Sequence, residues 1–339
     1  MPFIPEILRH RSISIIGLEK NTGKTECLNY ILRQLPVLGG RTIAITSIGI
    51  DGETKDVLSG RAKPAVHVRA GMIFATSEKY LPAHGVVAEL LDVSDEGSAL
   101  GRMVTARALT DGAVLLSGPL STAALGRWIS GIDRFGVDLV LVDGALSRMS
   151  SASPVVTDAM ILSTGAACST NVDILIRRTA FVVEKIRLPE AEPQLIAQLT
   201  PLDEGVWAVD AQGEIYDMQV SSTLLAADAW VVPKGCKMFY VTGALTDGFV
   251  ERLSVDKKIH KPVIIVRDFT KICMSQAAWM NFKAAGGRLL VLKSSRLIAV
   301  CVNPVAPNGI VLDSDQLCEK LSAALSLPVY DIVKNADAV

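Results

Sequence analysis

The sequence predicts an α/β fold, in which a mostly parallel β-sheet carries helices on both faces and a second, smaller α/β domain follows. Apolar runs alternate with stretches of helical spacing along the chain. This is the pattern of strands joined by helical crossovers. Half of the 339 residues are hydrophobic and the mean hydropathy is +0.37. Such values are expected when parallel strands are buried on both faces.

The first part of the chain has the clearest alternation. Its predicted strands are Ser12–Gly17, Thr42–Ile48, Met72–Thr76, Ala113–Ser117, Asp138–Asp143 and Ala159–Ser163. Its predicted helices are Lys24–Leu35, Ser121–Ile132 and Val172–Ile186. Apolar residues near Val66 and Val104 indicate a small additional antiparallel element.

A second alternation follows the proline- and acid-containing segment Pro189–Pro193. This segment predicts a boundary between domains at 1–189 and 194–339. The predicted strands beyond it are Val206–Asp210, Met238–Thr242, Pro262–Val266, Arg288–Leu292, Ile298–Val302 and Pro328–Val333. The predicted helices are Asp247–Leu253, Ser275–Ala285 and Asp313–Leu325. The alternative is that both parts share one continuous sheet.

The join between the first strand and the first helix reads Gly-Leu-Glu-Lys-Asn-Thr-Gly-Lys-Thr, from Gly17 to Thr25. A loop of this kind, a P-loop, directs backbone N–H groups and a helix N-terminus at a phosphate chain. We expect Lys24 to reach the terminal phosphates and the Thr25 hydroxyl to hold Mg²⁺. The spacing departs from the usual motif, because Leu18 stands where a glycine is common. The alternative is a strand–turn–helix with a surface lysine.

A metal-coordinating acid is predicted at the end of another apolar strand, where Asp143 precedes Gly144. Parallel strands bring such a carboxylate to the same sheet edge as the glycine loop, where it can hold Mg²⁺. The alternative is a strand simply terminated by Asp-Gly. The residues predicted to bind the nucleotide are Gly17, Lys20, Asn21, Thr22, Gly23, Lys24, Thr25, Glu26 and Gly144.

A second acidic loop, Thr46–Glu53, leaves its strand on the same side of the sheet. Asp51 is the predicted second metal contact or the residue that positions the attacking water. Glu53 or Asp56 could equally serve, and a solvated loop is as good an interpretation for any one of these acids. The predicted catalytic residues are therefore Lys24, Asp51 and Asp143.

Two further strand ends carry weaker patterns. Ser117–Thr122 opens a helix and could meet an anion, although a plain turn is the favoured interpretation. Ser163–Ala166 could border the base or ribose of a nucleotide. The second part of the chain shows no pair of catalytic acids, and Asn303–Gly309 is interpreted as a structural loop.

Composition excludes several classes of function. The net charge is −1, and the basic residues are dispersed, which argues against nucleic-acid binding. The six cysteines and four histidines show neither zinc-ligand nor disulfide spacing, so reduced, buried thiols are expected. No apolar stretch approaches the ~20 residues of a membrane span, and the first residues do not resemble a secretory signal. We therefore expect a cytoplasmic protein.

The glycine loop resembles that of dethiobiotin synthetase and the cobyrinic acid amidating enzymes. The segment Val142–Ala145 is similar to their Val-Glu-Gly-Ala, with Asp143 in place of glutamate. This class of P-loop proteins often dimerises across the nucleotide. Glu19 stands where members of the class carry a lysine, and Lys20 follows it. The resemblance implies an ATP-dependent protein that forms a homodimer. It also allows the protein to be a ligase, which phosphorylates a carboxyl group.

A resemblance covering more of the chain is to the smaller protein of the lysine 5,6-aminomutase reactivating system. It is carried by the glycine loop, Ile45–Glu53, Lys63-Pro64, Val104–Leu109 and Asp111–Pro119, whereas Glu26 replaces the threonine usual there. The resemblance implies an ATPase that assists an adenosylcobalamin-dependent aminomutase together with a second reactivating protein. A nucleotide-binding scaffold that hydrolyses little is the non-enzymatic alternative.

Overall fold

The computed structural model describes residues 3–35, 40–48, 65–83, 85–98, 100–145, 153, 156–224, 232–255 and 259–334. The chain divides into two units, Met1–Ala180 with Arg296–Val339, and Phe181–Ser295. Among the residues in these described ranges, no helix combines the length and the apolar character needed to cross a membrane.

The elements are numbered in chain order. The strands are β1 (Ser12–Gly17), β2 (Ile43–Ser47), β3 (Val66–Val68), β4 (Ile73–Ser77), β5 (Ala88–Ser98), β6 (Gly101–Ala108), β7 (Gly112–Val114), β8 (Leu139–Ala145), β9 (Ala159–Gly165), β10 (Val206–Val209), β11 (Ile215–Val220), β12 (Met238–Val241), β13 (Val263–Val266), β14 (Arg288–Val291), β15 (Arg296–Asn303) and β16 (Val329–Asp331). The α-helices are α1 (Ile4–Ile7), α2 (Lys24–Gln34), α3 (Thr122–Gly131), α4 (Val172–Ile186), α5 (Pro193–Leu199), α6 (Asp247–Val255), α7 (Gln276–Ala284) and α8 (Ser314–Leu325). Short 3₁₀ helices cover Leu81–Ala83, Ile132–Phe135 and Phe269–Lys271.

The first unit is built on a nine-stranded sheet in the order β16-β15-β9-β1-β8-β2-β4-β6-β5. Its strands run parallel except at the β4–β6–β5 edge, where the pairs are antiparallel. On one face α2 packs through Leu28 and Ile31, and on the other α3 packs through Leu125 and Trp128. The predicted α/β class, with a mostly parallel sheet and helices on both faces, is confirmed for this unit.

The predicted domains 1–189 and 194–339 differ from the observed division, because the chain returns to the first sheet at Arg296. β15 pairs in parallel with β9, and β16 with β15. The buried apolar run of β15 identifies a strand, but nothing in that run specifies which sheet it joins. The alternative prediction was one sheet shared by both parts of the chain. It therefore describes β15 and β16, whereas β10 to β14 form a separate sheet.

The second unit is built on a five-stranded sheet in the order β11-β10-β12-β13-β14. The β12–β13–β14 part is parallel and the other pairs are antiparallel. Phe239, Phe282 and Trp279 fill its core. Lys185 is also buried, with its amine 4.8 Å from the centre of the Phe181 ring. Burial lowers the pKa of Lys185, and the nearby charge of Cys273 offsets part of that effect.

Some predicted elements differ from those observed. The predicted strand Ala113–Ser117 is the shorter β7, which pairs with β3 in a separate two-stranded sheet. β5, β11 and α5 were not predicted. β5 lies at the edge of the main sheet and is rich in acids, so it lacks the apolar run that marks the buried strands.

Candidate functional site

The candidate site is the glycine loop, residues 17–25, at the carboxyl end of β1. β1 is buried along its whole length and lies between β8 and β9. In an open α/β sheet, ligands bind at the carboxyl ends of the strands. The loop leads directly into the eleven-residue α2, whose first N–H groups are free to meet an anion.

The two glycines that frame the loop are required by its geometry. A Cβ at Gly17 would lie 2.4 Å from Thr22 Oγ1 and 2.7 Å from Lys24 Cγ. The loop and the stem of Lys24 therefore fold closely over the end of β1. Gly23 is the N-cap of α2 and has φ +86°, a conformation that glycine adopts without strain. Leu18 is 5% exposed, so its side chain belongs to the interior rather than to the phosphate-binding surface.

Lys24 and Asp143 meet at this edge of the sheet. The Lys24 amine lies 3.4 Å from Asp143 Oδ1, and the two side chains are 15% and 7% exposed. Asp143 is aligned with Ile15 of β1 on one side and with Ser47 of β2 on the other. The sequence therefore predicted correctly that the loop lysine and the strand-ending acid come together. A mostly buried cation and carboxylate at a helix N-terminus form a site suited to a phosphate and its metal ion.

The remaining predicted residues occupy different positions around the loop. Thr25 and Glu26 are half-buried in the first turn of α2, and Lys20 and Asn21 are exposed. Gly144 is paired with Ile16 of β1. Asp51, Glu53 and Asp56 lie outside the described residues. No group of three or more metal-ligating side chains occurs within the described ranges.

An ion pair fixes the first half of the loop. Arg178 of α4 pairs with Glu19 and also donates to the Cys168 carbonyl. Thr22 Oγ1 in turn donates to the Glu19 carbonyl at 3.0 Å, so a hydrogen bond within the loop also holds this half in place. Sequence reasoning noted Glu19 but missed Arg178, because the two residues are 159 positions apart.

The end of β15 supports the other half of the loop. Asn303 Nδ2 lies 3.4 Å from the Asn21 carbonyl. A Cβ on Gly23 would lie 2.9 Å from Asn303 Cβ and 2.7 Å from Ile332 Cδ1. Sequence reasoning interpreted the segment beginning at Asn303 as a structural loop of another domain. The only sequence signal for its position was the polar asparagine at the end of an apolar strand.

β9 borders the loop through Ser163. Its carbonyl accepts from Leu18 N at 2.8 Å, and its hydroxyl is buried without a hydrogen-bond partner among the described residues. Gly165 approaches Asn303 so closely that a Cβ would lie 2.1 Å from the Asn303 carbonyl oxygen. Ser163 is therefore beside the glycine loop, and its place next to the base or ribose of a nucleotide stays a prediction.

The segment Ser117–Thr122 forms a capped turn. Ser121 is the N-cap of α3, and its side chain accepts from Ala124 N at 3.1 Å. The favoured interpretation of this segment was a plain turn, and the observed cap agrees with it.

A pair of cysteines lies behind the loop. Cys27 and Cys301 are buried, with their sulfur atoms 3.7 Å apart, and no cysteine of the chain forms a disulfide. The hydrogen bond with Cys27, together with burial, raises the pKa of Cys301. Cys301 is therefore a neutral thiol, and the two cysteines pack α2 against β15.

No protein-family model, curated protein or solved structure matches this chain. The assignment of function therefore depends on the chemistry of the site and on the sequence motifs.

Proposed function

We propose that this chain is a cytoplasmic Mg-ATP-binding P-loop ATPase that serves as a reactivating factor for an adenosylcobalamin-dependent aminomutase. The observation that supports the ATPase part is the pairing of Lys24 with Asp143 at 3.4 Å, at the mouth of a glycine loop that begins a helix. The aminomutase part rests on the sequence resemblance described above.

The proposed roles follow from the types of side chain present. The loop N–H groups and the Lys24 amine bind the phosphates of ATP, because they combine fixed donors with a positive charge. Thr25 and Asp143 supply a hydroxyl and a carboxylate oxygen, the donor types that Mg²⁺ prefers. A Mg²⁺ ion held by these two residues would neutralise charge that develops on the transferred phosphoryl group. Asp51 is proposed to orient the attacking water.

The fit of a nucleotide is supported by the contacts that hold the glycine loop in place. The Lys24 amine contacts Asp143 at 3.4 Å. The loop before it is held by the Glu19–Arg178 ion pair and by the hydrogen bond from Thr22 Oγ1 to the Glu19 carbonyl. A loop that is already held in place is suited to receiving a phosphate chain without being rebuilt.

The partners proposed are the aminomutase and a second reactivating protein, and the chain is proposed to form a homodimer. ATP binding would change the segment that carries Asp51 and so alter the contact with the partner. This mechanism requires that nucleotide and partner binding be coupled.

The experiment is an assay of phosphate release from ATP, with and without inactivated aminomutase and the second protein. We expect ATP-dependent recovery of mutase activity, and loss of both activities in Lys24→Ala and Asp143→Asn. Lys79→Ala, which removes an exposed lysine outside the loop, is the matched control. Turnover stimulated by a small carboxylate alone would indicate a ligase instead. Partner binding that survives Lys24→Ala, without hydrolysis by the wild type, would indicate a scaffold.

A further inference from the structure

The glycine loop carries a carboxylate of its own. Glu19 is the only acidic residue between Gly17 and Gly23. Its carbonyl accepts from Thr22 Oγ1 at 3.0 Å, so the residue is held within the loop. A loop that offers N–H groups to phosphates is an unfavourable place for a carboxylate, because like charges repel. Glu19 therefore opposes the binding of the ligand that the rest of the loop fits.

Arg178 of α4 covers this carboxylate. Its Nη2 pairs with Glu19 Oε1, and its Nη1 donates to the Cys168 carbonyl. These two contacts hold the guanidinium in one orientation, because the group is planar and its donors point in fixed directions. The positive charge of Arg178 thus lies directly against the negative charge of Glu19, and the field of the carboxylate at the loop is largely cancelled.

The exposure of this pair separates its effect on folding from its effect on binding. The side chains of Arg178 and Glu19 are 45% and 39% exposed. An ion pair in contact with solvent contributes little to the free energy of unfolding. A multiply charged ligand, however, responds to fixed charges within about 10 Å at moderate ionic strength. The charge balance of the pair should therefore be visible in the binding of nucleotides.

We propose that Arg178 is a specificity-determining residue of the nucleotide site, which favours the more highly charged nucleotide by neutralising Glu19. The inference rests on the proposed function, because it takes ATP as the ligand of the loop. Electrostatic energy is proportional to the charge of the ligand. Mg-ATP carries about two net negative charges and Mg-ADP about one, so the effect on Mg-ATP is about twice as large in free energy.

The experiment measures the dissociation constants of Mg-ATP and Mg-ADP by calorimetry in variants that change charge with little change of shape. Arg178→Gln uncovers the carboxylate, and it should weaken Mg-ATP binding about fivefold and Mg-ADP binding about twofold. Glu19→Gln removes the negative charge but keeps an oxygen that accepts from Arg178. It should therefore bind Mg-ATP about fivefold more tightly than the wild type. The double variant should bind Mg-ATP within about twofold of the wild type.

Two controls accompany these variants. Arg177→Gln removes the neighbouring exposed arginine of α4 and should bind both nucleotides like the wild type. Raising the salt concentration from about 0.1 M to about 1 M shortens the screening length from about 10 Å to about 3 Å. The differences between the variants and the wild type should therefore shrink at the higher salt concentration. Circular dichroism checks that each variant is folded.

A purely structural tether between Glu19 and Arg178 predicts a different pattern. Both single variants would then weaken Mg-ATP and Mg-ADP binding by the same factor, and the double variant would recover nothing. That pattern overturns the proposal, as does a Glu19→Gln variant that binds Mg-ATP no more tightly than the wild type. A wild-type chain that binds no Mg-ATP would overturn the proposed function, and this proposal with it.

Discussion

Replacing Gly17 with alanine tests the geometry of the glycine loop. A Cβ there would lie 2.4 Å from Thr22 Oγ1, whereas ordinary contact begins near 3.4 Å, so the loop must move by about 1 Å. Forcing an extra methyl group into a packed region costs about 1–3 kcal/mol. Displacing Thr22 also weakens its 3.0 Å hydrogen bond to the Glu19 carbonyl, which contributes about 1 kcal/mol. We therefore expect Gly17→Ala to lower the free energy of unfolding by about 2–4 kcal/mol.

The matched control is Gly126→Ala, in the interior of α3, where a Cβ meets no atom within 4 Å. Because alanine favours helix over glycine, this variant should be more stable than the wild type by about 0.5–1 kcal/mol. Urea unfolding followed by circular dichroism measures both. The double variant Gly17→Ala/Thr22→Ala should recover part of the loss, since the nearest clashing atom is removed. The packing argument fails if Gly17→Ala is as stable as Gly126→Ala.

The other predictions concern separate parts of the chain. Lys185→Met should raise the free energy of unfolding at pH 7 by about 1 kcal/mol, because the wild type buries a charge there. The pKa of Lys185 is lowered in the folded state, so the stability of the wild type rises as the pH approaches the ordinary lysine pKa of 10.5. The stability advantage of Lys185→Met should therefore be smaller in a urea titration at pH 10 than in one at pH 7. Arg178→Gln should change stability by less than about 1 kcal/mol, since its pair with Glu19 is partly exposed, yet it should weaken ATP binding measured by calorimetry. Trp279→Ala should lower the free energy of unfolding, measured by thermal or urea denaturation, by about 3–5 kcal/mol, because it leaves a cavity in the core of the second unit.

The parts of the site that the sequence could predict are local or follow from sheet geometry. The strand, the glycine loop and the helix are contiguous, so their pattern is visible in the residues themselves. Asp143 could be placed beside Lys24 because the carboxyl ends of neighbouring parallel strands lie at one edge of a sheet. That placement is the part of the predicted site that the structure bears out.

The parts that the sequence could not predict depend on contacts between distant segments. Arg178 reaches Glu19, and Asn303 approaches Asn21, only because α4 and β15 lie beside the loop in the folded chain. β15 was assigned to a second domain, since an apolar strand carries no mark of the sheet it joins.

The most direct test of the account is calorimetric titration of the wild-type chain and of Lys24→Ala with Mg-ATP. The lysine contributes a charge-assisted hydrogen bond worth about 1.5–3 kcal/mol, so its loss should raise the dissociation constant by about tenfold or more. Lys79→Ala should bind Mg-ATP like the wild type. Equal affinity in Lys24→Ala and the wild type, or no binding by the wild type, would contradict the account.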